Sequence, residues 1–143
     1  MKIFVYGVPG VGKTYYSKKL GKQLNLPVLE ADVLKRRARK NKSKKDYPFL
    51  YLGTCLAYKQ FGELNQENAV NGLLAVRHAL RETVDAEAKI KSNAIVEGAF
   101  LDPNLLNQYG KVILLVIADE RKHKKYFLRH REKLLDIKGH EFK

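Results

Sequence analysis

The chain has 143 residues, enough for one ordinary domain at the usual allowance of about 100 to 200 residues per domain. Hydrophobic residues make up 45% and charged residues 30%, with 10 Gly and 4 Pro, a globular balance that excludes collagen-like, low-complexity and wholly disordered chains. The 28 Lys+Arg against 15 Asp+Glu give a net charge of +13, which favours phosphate-bearing partners, whether nucleotides, acidic metabolites or nucleic acid.

A single cysteine, Cys55, excludes an internal disulfide and a cysteine-built zinc cluster. The longest apolar run, Val112 to Ala118, falls far short of the roughly 18 residues of a membrane span. Met1 leads straight into strand-like sequence rather than a signal peptide, so the expected location is the cytoplasm with no membrane partner.

In chain order, Lys2 to Tyr6 (KIFVY) is rich in β-branched and aromatic residues and bounded by Gly7, which predicts a buried strand. The next residues, Gly7 to Thr14 (GVPGVGKT), fit G-x-x-x-x-G-K-[ST], the phosphate-binding loop. Glycines at such positions let the backbone curl so that successive N–H groups converge on phosphate oxygens, and the following helix adds the positive end of its dipole. The nucleotide-binding set is then Gly7, Pro9, Gly10, Val11, Gly12, Lys13, Thr14 and Tyr15. Lys13 belongs on the β- and γ-phosphates, and the Thr14 hydroxyl on Mg²⁺, a hard cation that prefers oxygen. The simpler alternative, a glycine turn followed by Lys-Thr, leaves the strand before it and the helix after it unexplained. In that helix Tyr16, Leu20 and Leu24 recur every four residues as the buried face, with Lys18, Lys19 and Lys22 outward.

Val28 to Asp32 reads as a second strand ending in acidic residues at the sheet edge where open α/β folds bind ligands. Asp32 there would orient an acceptor hydroxyl or take its proton; its alternative is an N-cap for a helix from Val33. Lys35 to Lys45 is a basic run, either solvated and mobile or in contact with a phosphate substrate or RNA. Tyr47 to Phe61 is aromatic and apolar and suggests a helical insert on the substrate side, with Cys55 as packing.

From Gln66 to Lys91, Ala69, Leu73, Val76, Leu80, Val84 and Ala88 mark one long amphipathic helix, on which His78 is a surface or packing residue. Asn93 to Gly98 and Lys111 to Ala118 predict a third strand and a fully buried fourth. Between them Asp102-Pro103 opens a short helix. Alternating strand and helix predict a parallel sheet wrapped by helices. Glu97, at the end of the third strand, would hold Mg²⁺, bind the acceptor or face a neighbouring cation. Residues 119–133 are basic and suit a lid over the nucleotide, with Arg129 the first choice for charge neutralisation. His123 and His130 lack metal-ligand spacing.

GVPGVGKT, then Glu30-Ala-Asp32, then Ile-Val-Glu97-Gly-Ala-Phe-Leu-Asp-Pro, then Asp119, His123, Phe127 and Arg129 together resemble the P-loop kinases of the adenylate-kinase-like group, and within it the archaeal 2-phosphoglycerate kinases. The resemblance runs from Met1 to about Arg131. It implies a three-layer α/β/α P-loop NTPase/kinase fold with a mostly parallel sheet of order 2-3-1-4-5. It also implies a helical insert at 33–92 carrying the acceptor side, a basic lid, and ATP-dependent phosphoryl transfer to a hydroxyl. On this reading residues 1–143 are one compact P-loop kinase domain. No fifth strand is readable before Lys143, so ATP is not distinguished from GTP. The leading expectation is a kinase of a small phosphorylated or acidic metabolite or a nucleotide, with Lys13, Asp32 and Arg129 catalytic and Thr14 and Glu97 on Mg²⁺. Its alternatives are a 5′-hydroxyl polynucleotide kinase, with the basic run along the nucleic acid, and a nucleotide-binding switch or assembly factor.

Overall fold

Side chains alternate across a β-strand, and along β1 (Lys2–Tyr6) that alternation divides the core in two. In the computed structural model, which describes residues 1–125, Phe4 and Tyr6 point to one face of the sheet, and Ile3 and Val5 to the other. On the Phe4 face lie α2 (Ala31–Arg39), α3 (Gln66–Lys89) and α4 (Pro103–Leu106), which contribute Leu34, Leu80 and Leu106 to the larger cluster. The Ile3 face is covered by α1 (Lys13–Leu24) through Leu20.

The sheet is four-stranded and wholly parallel, in the order β2 (Val28–Leu29), β3 (Ala94–Glu97), β1, β4 (Lys111–Leu114). The layers are therefore α/β/α, as expected from the alternating pattern, and the order agrees with the first four places of the expected one. The connection from β1 runs to β2 on one side and that from β3 crosses to β4 on the other, which opens a crevice at the carboxyl ends of β1 and β3. Val5 is paired with Glu97, so the strand end that carries Glu97 lies beside the start of the glycine loop. No helix among the described residues is long and apolar enough to cross a membrane.

Three expectations are corrected. The buried stripe of α1 is Ser17 and Gly21 with Leu20 beside them, while Tyr16 and Leu24 are exposed. A helix lying close on a sheet selects small residues at the contact, and a Cβ at Gly21 would come within 2.8 Å of the Leu26 carbonyl oxygen and of Val28. The fourth strand stops at Leu114 and is half-buried rather than fully buried, because it has β1 as its only strand neighbour in the described sheet. The aromatic insert is held by two short 3₁₀ turns, Pro48–Leu50 and Ala57–Gln60, instead of a regular helix.

At the far end of the sheet from the glycine loop, charge is placed inside the fold. Lys2 Nζ donates to the Glu87 carbonyl at 2.8 Å and the Ile90 carbonyl at 3.1 Å, and lies 3.4 Å from the Glu87 carboxylate. The other Glu87 oxygen accepts from Arg37 at 2.9 Å. Each buried charge thus has an opposite partner and added hydrogen bonds, which offset the cost of desolvation.

The 24-residue α3 is the spine of the larger layer. Its Gly72 meets the 57–60 turn so closely that a Cβ would sit 2.5 Å from the Tyr58 nitrogen. Glycine to alanine inside a helix ordinarily gains up to about 1 kcal/mol. Here the sign should reverse: Gly72→Ala is expected to lower the urea midpoint by forcing α3 off the turn. Leu80→Ala, at a site with 0% exposure, should cost about 2–5 kcal/mol.

Candidate functional site

The glycine loop turns where β1 ends. Gly10 (φ 87°) and Gly12 (φ 90°) occupy the left-handed region, which side chains with a Cβ enter only under strain. Gly12 is also the N-cap of α1, and no side chain caps that helix. Its first N–H groups therefore open toward the loop, an arrangement suited to an anion. Val11 is buried and anchors the loop in the fold, whereas Tyr15 is exposed beyond it with its ring edge-on to Tyr16 at 5.0 Å. Lys13 Nζ donates to the Val8 carbonyl at 3.0 Å and so arches over the loop. Gly7 and Pro9 complete the turn, and the Pro9 carbonyl accepts from His123 Nε2 at 2.8 Å. His123 stands on the helical residues 120–125 that follow β4, and through this contact the start of that helix is fastened to the loop.

Glu97 is 3% exposed at the end of β3. Its Oε1 accepts from the Thr14 hydroxyl at 3.2 Å and from the Ala31 N–H at 3.3 Å. Thr14 and Glu97, distant in sequence, are thus neighbours. Burial pushes the Glu97 carboxyl above its usual pKa. The Ala31 hydrogen bond, the Lys13 charge and the Thr14 hydroxyl oppose that rise, and the nearby Glu30 carboxylate adds to it. Two hard oxygen donors, one of them a poorly solvated carboxylate, form a fitting seat for a magnesium ion. Among the described residues no group of three or more His, Cys, Asp or Glu could hold a metal alone. Thr14 and Glu97 would therefore hold the ion together with phosphate oxygens supplied by a nucleotide.

Residues 3–125 match the family described as AAA domain. The chain belongs to this family. It is accordingly a P-loop, kinase-like nucleotide-binding domain. Two solved structures share its fold: an uncharacterized protein from Eubacterium ventriosum, at 13% identity and a TM-score of 0.53 over 99% of this chain and 68% of that one, and TT1252 from Thermus thermophilus, at 18% identity and 0.51 over 99% and 75%. No curated protein matches.

In this AAA-domain chain the second strand ends at Leu29, so Asp32 does not stand at a strand edge. It lies exposed in the first turn of α2, and it is not the N-cap either, because α2 already begins at Ala31 with Glu30 as its cap. The cause is tertiary: the Ala31 N–H, one of the donors a helix start leaves unpaired, is satisfied by Glu97 from another strand. The acidic side chain closest to the strand edge is instead Glu30, which pairs with Lys18 at 3.0 Å and presses on the Glu97 charge. Its place in the Leu-Glu-Ala-Asp string was the available signal. His123 had none, since its partner is a backbone carbonyl 114 residues away.

The basic run is partly structural. Arg39 Nε donates to the Leu50 carbonyl at 2.6 Å and its guanidinium covers the Tyr51 ring at 4.9 Å. Lys42 lies 5.3 Å from the Tyr47 ring centre, and Arg37 is paired with Glu87. Cys55 is half-buried. Arg129, His130 and most of the expected lid fall outside the described residues.

The raised pKa of Glu97 has a testable consequence. The folded protein binds this proton more readily than the unfolded chain, so the stabilisation it brings is complete below the ordinary carboxylate range and is lost as pH rises through the raised pKa. Glu97→Gln keeps an acceptor for Thr14 and Ala31 but carries no charge. Without nucleotide at neutral pH it should melt above the wild type, by about 2–4 °C for each kcal/mol relieved. The gap should close as the pH falls below the carboxylate range in a calorimetric series.

Proposed function

We propose that the chain is a phosphotransferase that moves the γ-phosphoryl group of a magnesium-bound nucleoside triphosphate, ATP or GTP, to a hydroxyl of a small anionic acceptor. The observation that carries this reading is the 3.2 Å contact between Thr14 of the loop and the buried Glu97, at the crevice of a parallel sheet. The loop amides and Lys13 would hold the β- and γ-phosphates and keep them in line with the acceptor. The magnesium ion, when bound, would supply charge neutralisation on the phosphate oxygens. Arg129 would add positive charge from the lid as the phosphoryl group moves.

Asp32 and Glu30, at the start of α2, are the two carboxylates offered for orienting the acceptor hydroxyl. A nucleic-acid acceptor is less favoured, because Arg37, Arg39 and Lys42 of the basic run already serve contacts inside the fold.

ADP release from Mg-ATP should rise with one class in a panel of small phosphorylated acids, nucleoside monophosphates and 5′-hydroxyl oligonucleotides. Asp32→Asn or Glu30→Gln, whichever removes the orienting group, should slow transfer by about 10²–10⁴ with nucleotide affinity unchanged. Lys13→Ala should abolish nucleotide binding. If nucleotide binds and no acceptor stimulates release, the phosphotransferase reading gives way to a nucleotide-binding switch.

A further inference from the structure

On the Phe4 side of the sheet, α3 faces the segment that continues from Glu97 into α4, and between them lies a cleft of about 180 Å³ that is open to solvent along Leu74, His78 and Arg81. Its polar lining is cationic on balance. Arg77, His78 and Arg81 present one face of α3 to it, against the single carboxylate of Asp102. One oxygen of that carboxylate accepts from the Asn104 N–H at 3.0 Å as the N-cap of α4. No ion pair joins either arginine to an acid among the described residues, although Arg81 lies within the electrostatic reach of Asp85. The remaining walls are apolar, from Leu74, Phe100 and Leu105.

Arg77 carries the argument. Its Nε is buried, and no hydrogen bond or ion pair engages its guanidinium among the described residues. Buried polar groups are almost always paired, so an arginine left without an acceptor keeps its fork available to a ligand. An arginine fork is shaped for two parallel bonds to a carboxylate or phosphate. The cleft is small, about 180 Å³ against the roughly 300–1,000 Å³ of drug-sized sites, so it suits a small guest. The Phe100 wall lies three residues beyond Glu97 on the same strand-end segment.

We propose that this cleft binds the oxyanion of a small organic acid, with Arg77 and Arg81 gripping a phosphate or carboxylate and Leu74, Phe100 and Leu105 flanking a short carbon skeleton. Taking that molecule to be the acceptor rests on the phosphotransferase reading; the anion site itself does not.

The test follows the side-chain Nε–H signal of Arg77 by ¹H–¹⁵N correlation, assigned by its loss in Arg77→Lys, while phosphoglycolate, malonate, inorganic phosphate or AMP is titrated into the full chain. A saturable shift with inorganic phosphate identifies phosphate recognition, one with malonate identifies a carboxylate, and one with phosphoglycolate alone identifies a guest that needs both groups on one short skeleton. Arg77→Lys, unchanged in circular dichroism, should weaken that binding at least about tenfold. Absence of a shift with all three small anions overturns the proposal, and an equal response to AMP overturns its size limit. The amides of Gly10 and Gly12, read on addition of Mg-ADP, report the loop separately. If they move and Arg77 does not respond to the anions, the cleft inference fails alone. If Arg77 responds and they do not move, the nucleotide reading fails alone.

Discussion

A single buried carboxylate, Glu97, ties together the parts of this protein that have to meet. It accepts from Thr14 at the start of the loop helix and from Ala31 at the start of α2. Both helices thereby take their positions from the end of β3. Desolvating a carboxylate is costly, and here two donors and the neighbouring Lys13 charge offset only part of that cost. The remaining imbalance leaves Glu97 with its carboxyl above the usual pKa.

The opposite end of the sheet solves a related problem differently. Glu87 is buried too, yet it receives both Lys2 and Arg37. Its charge is balanced within the protein, so the group joins β1, α2 and α3 and offers nothing to a ligand. Glu87 and Glu97 thus differ in whether a counter-charge is built in beside them. The arginines differ in the same way. Arg37 and Arg39 are satisfied by Glu87 and Leu50, whereas Arg77 has a buried donor without an acceptor. The net charge of +13 is therefore a poor guide to where an anion binds, because several of the cations that make it up hold the insert together.

Much of the architecture was legible in the sequence because it rests on local patterns. The loop motif needs glycine at left-handed positions, the β1 alternation needs two faces, and the period of α3 marks Val76, Leu80, Val84 and Ala88 as its buried stripe, while Ala69 at the start of the same repeat is exposed and Leu73 half-buried. Errors arose where a tertiary partner outweighed a local signal. The stripe of α1 shifted to Ser17 and Gly21 because the sheet comes too close for larger side chains. The start of α2 moved to Ala31 because a carboxylate from β3 caps it, and this displaced Asp32 from the strand edge.

The sequence by itself determined the phosphate loop and the parallel α/β architecture, since short-range spacing and side-chain chemistry suffice for these. Only the tertiary structure decided that Thr14 and Glu97 stand 3.2 Å apart, that His123 fastens to Pro9, and that Arg77 opens into a cleft beside Phe100. Those facts depend on how strands pair and helices pack across long stretches of chain, and neither composition nor periodicity encodes a distance between residues 83 positions apart.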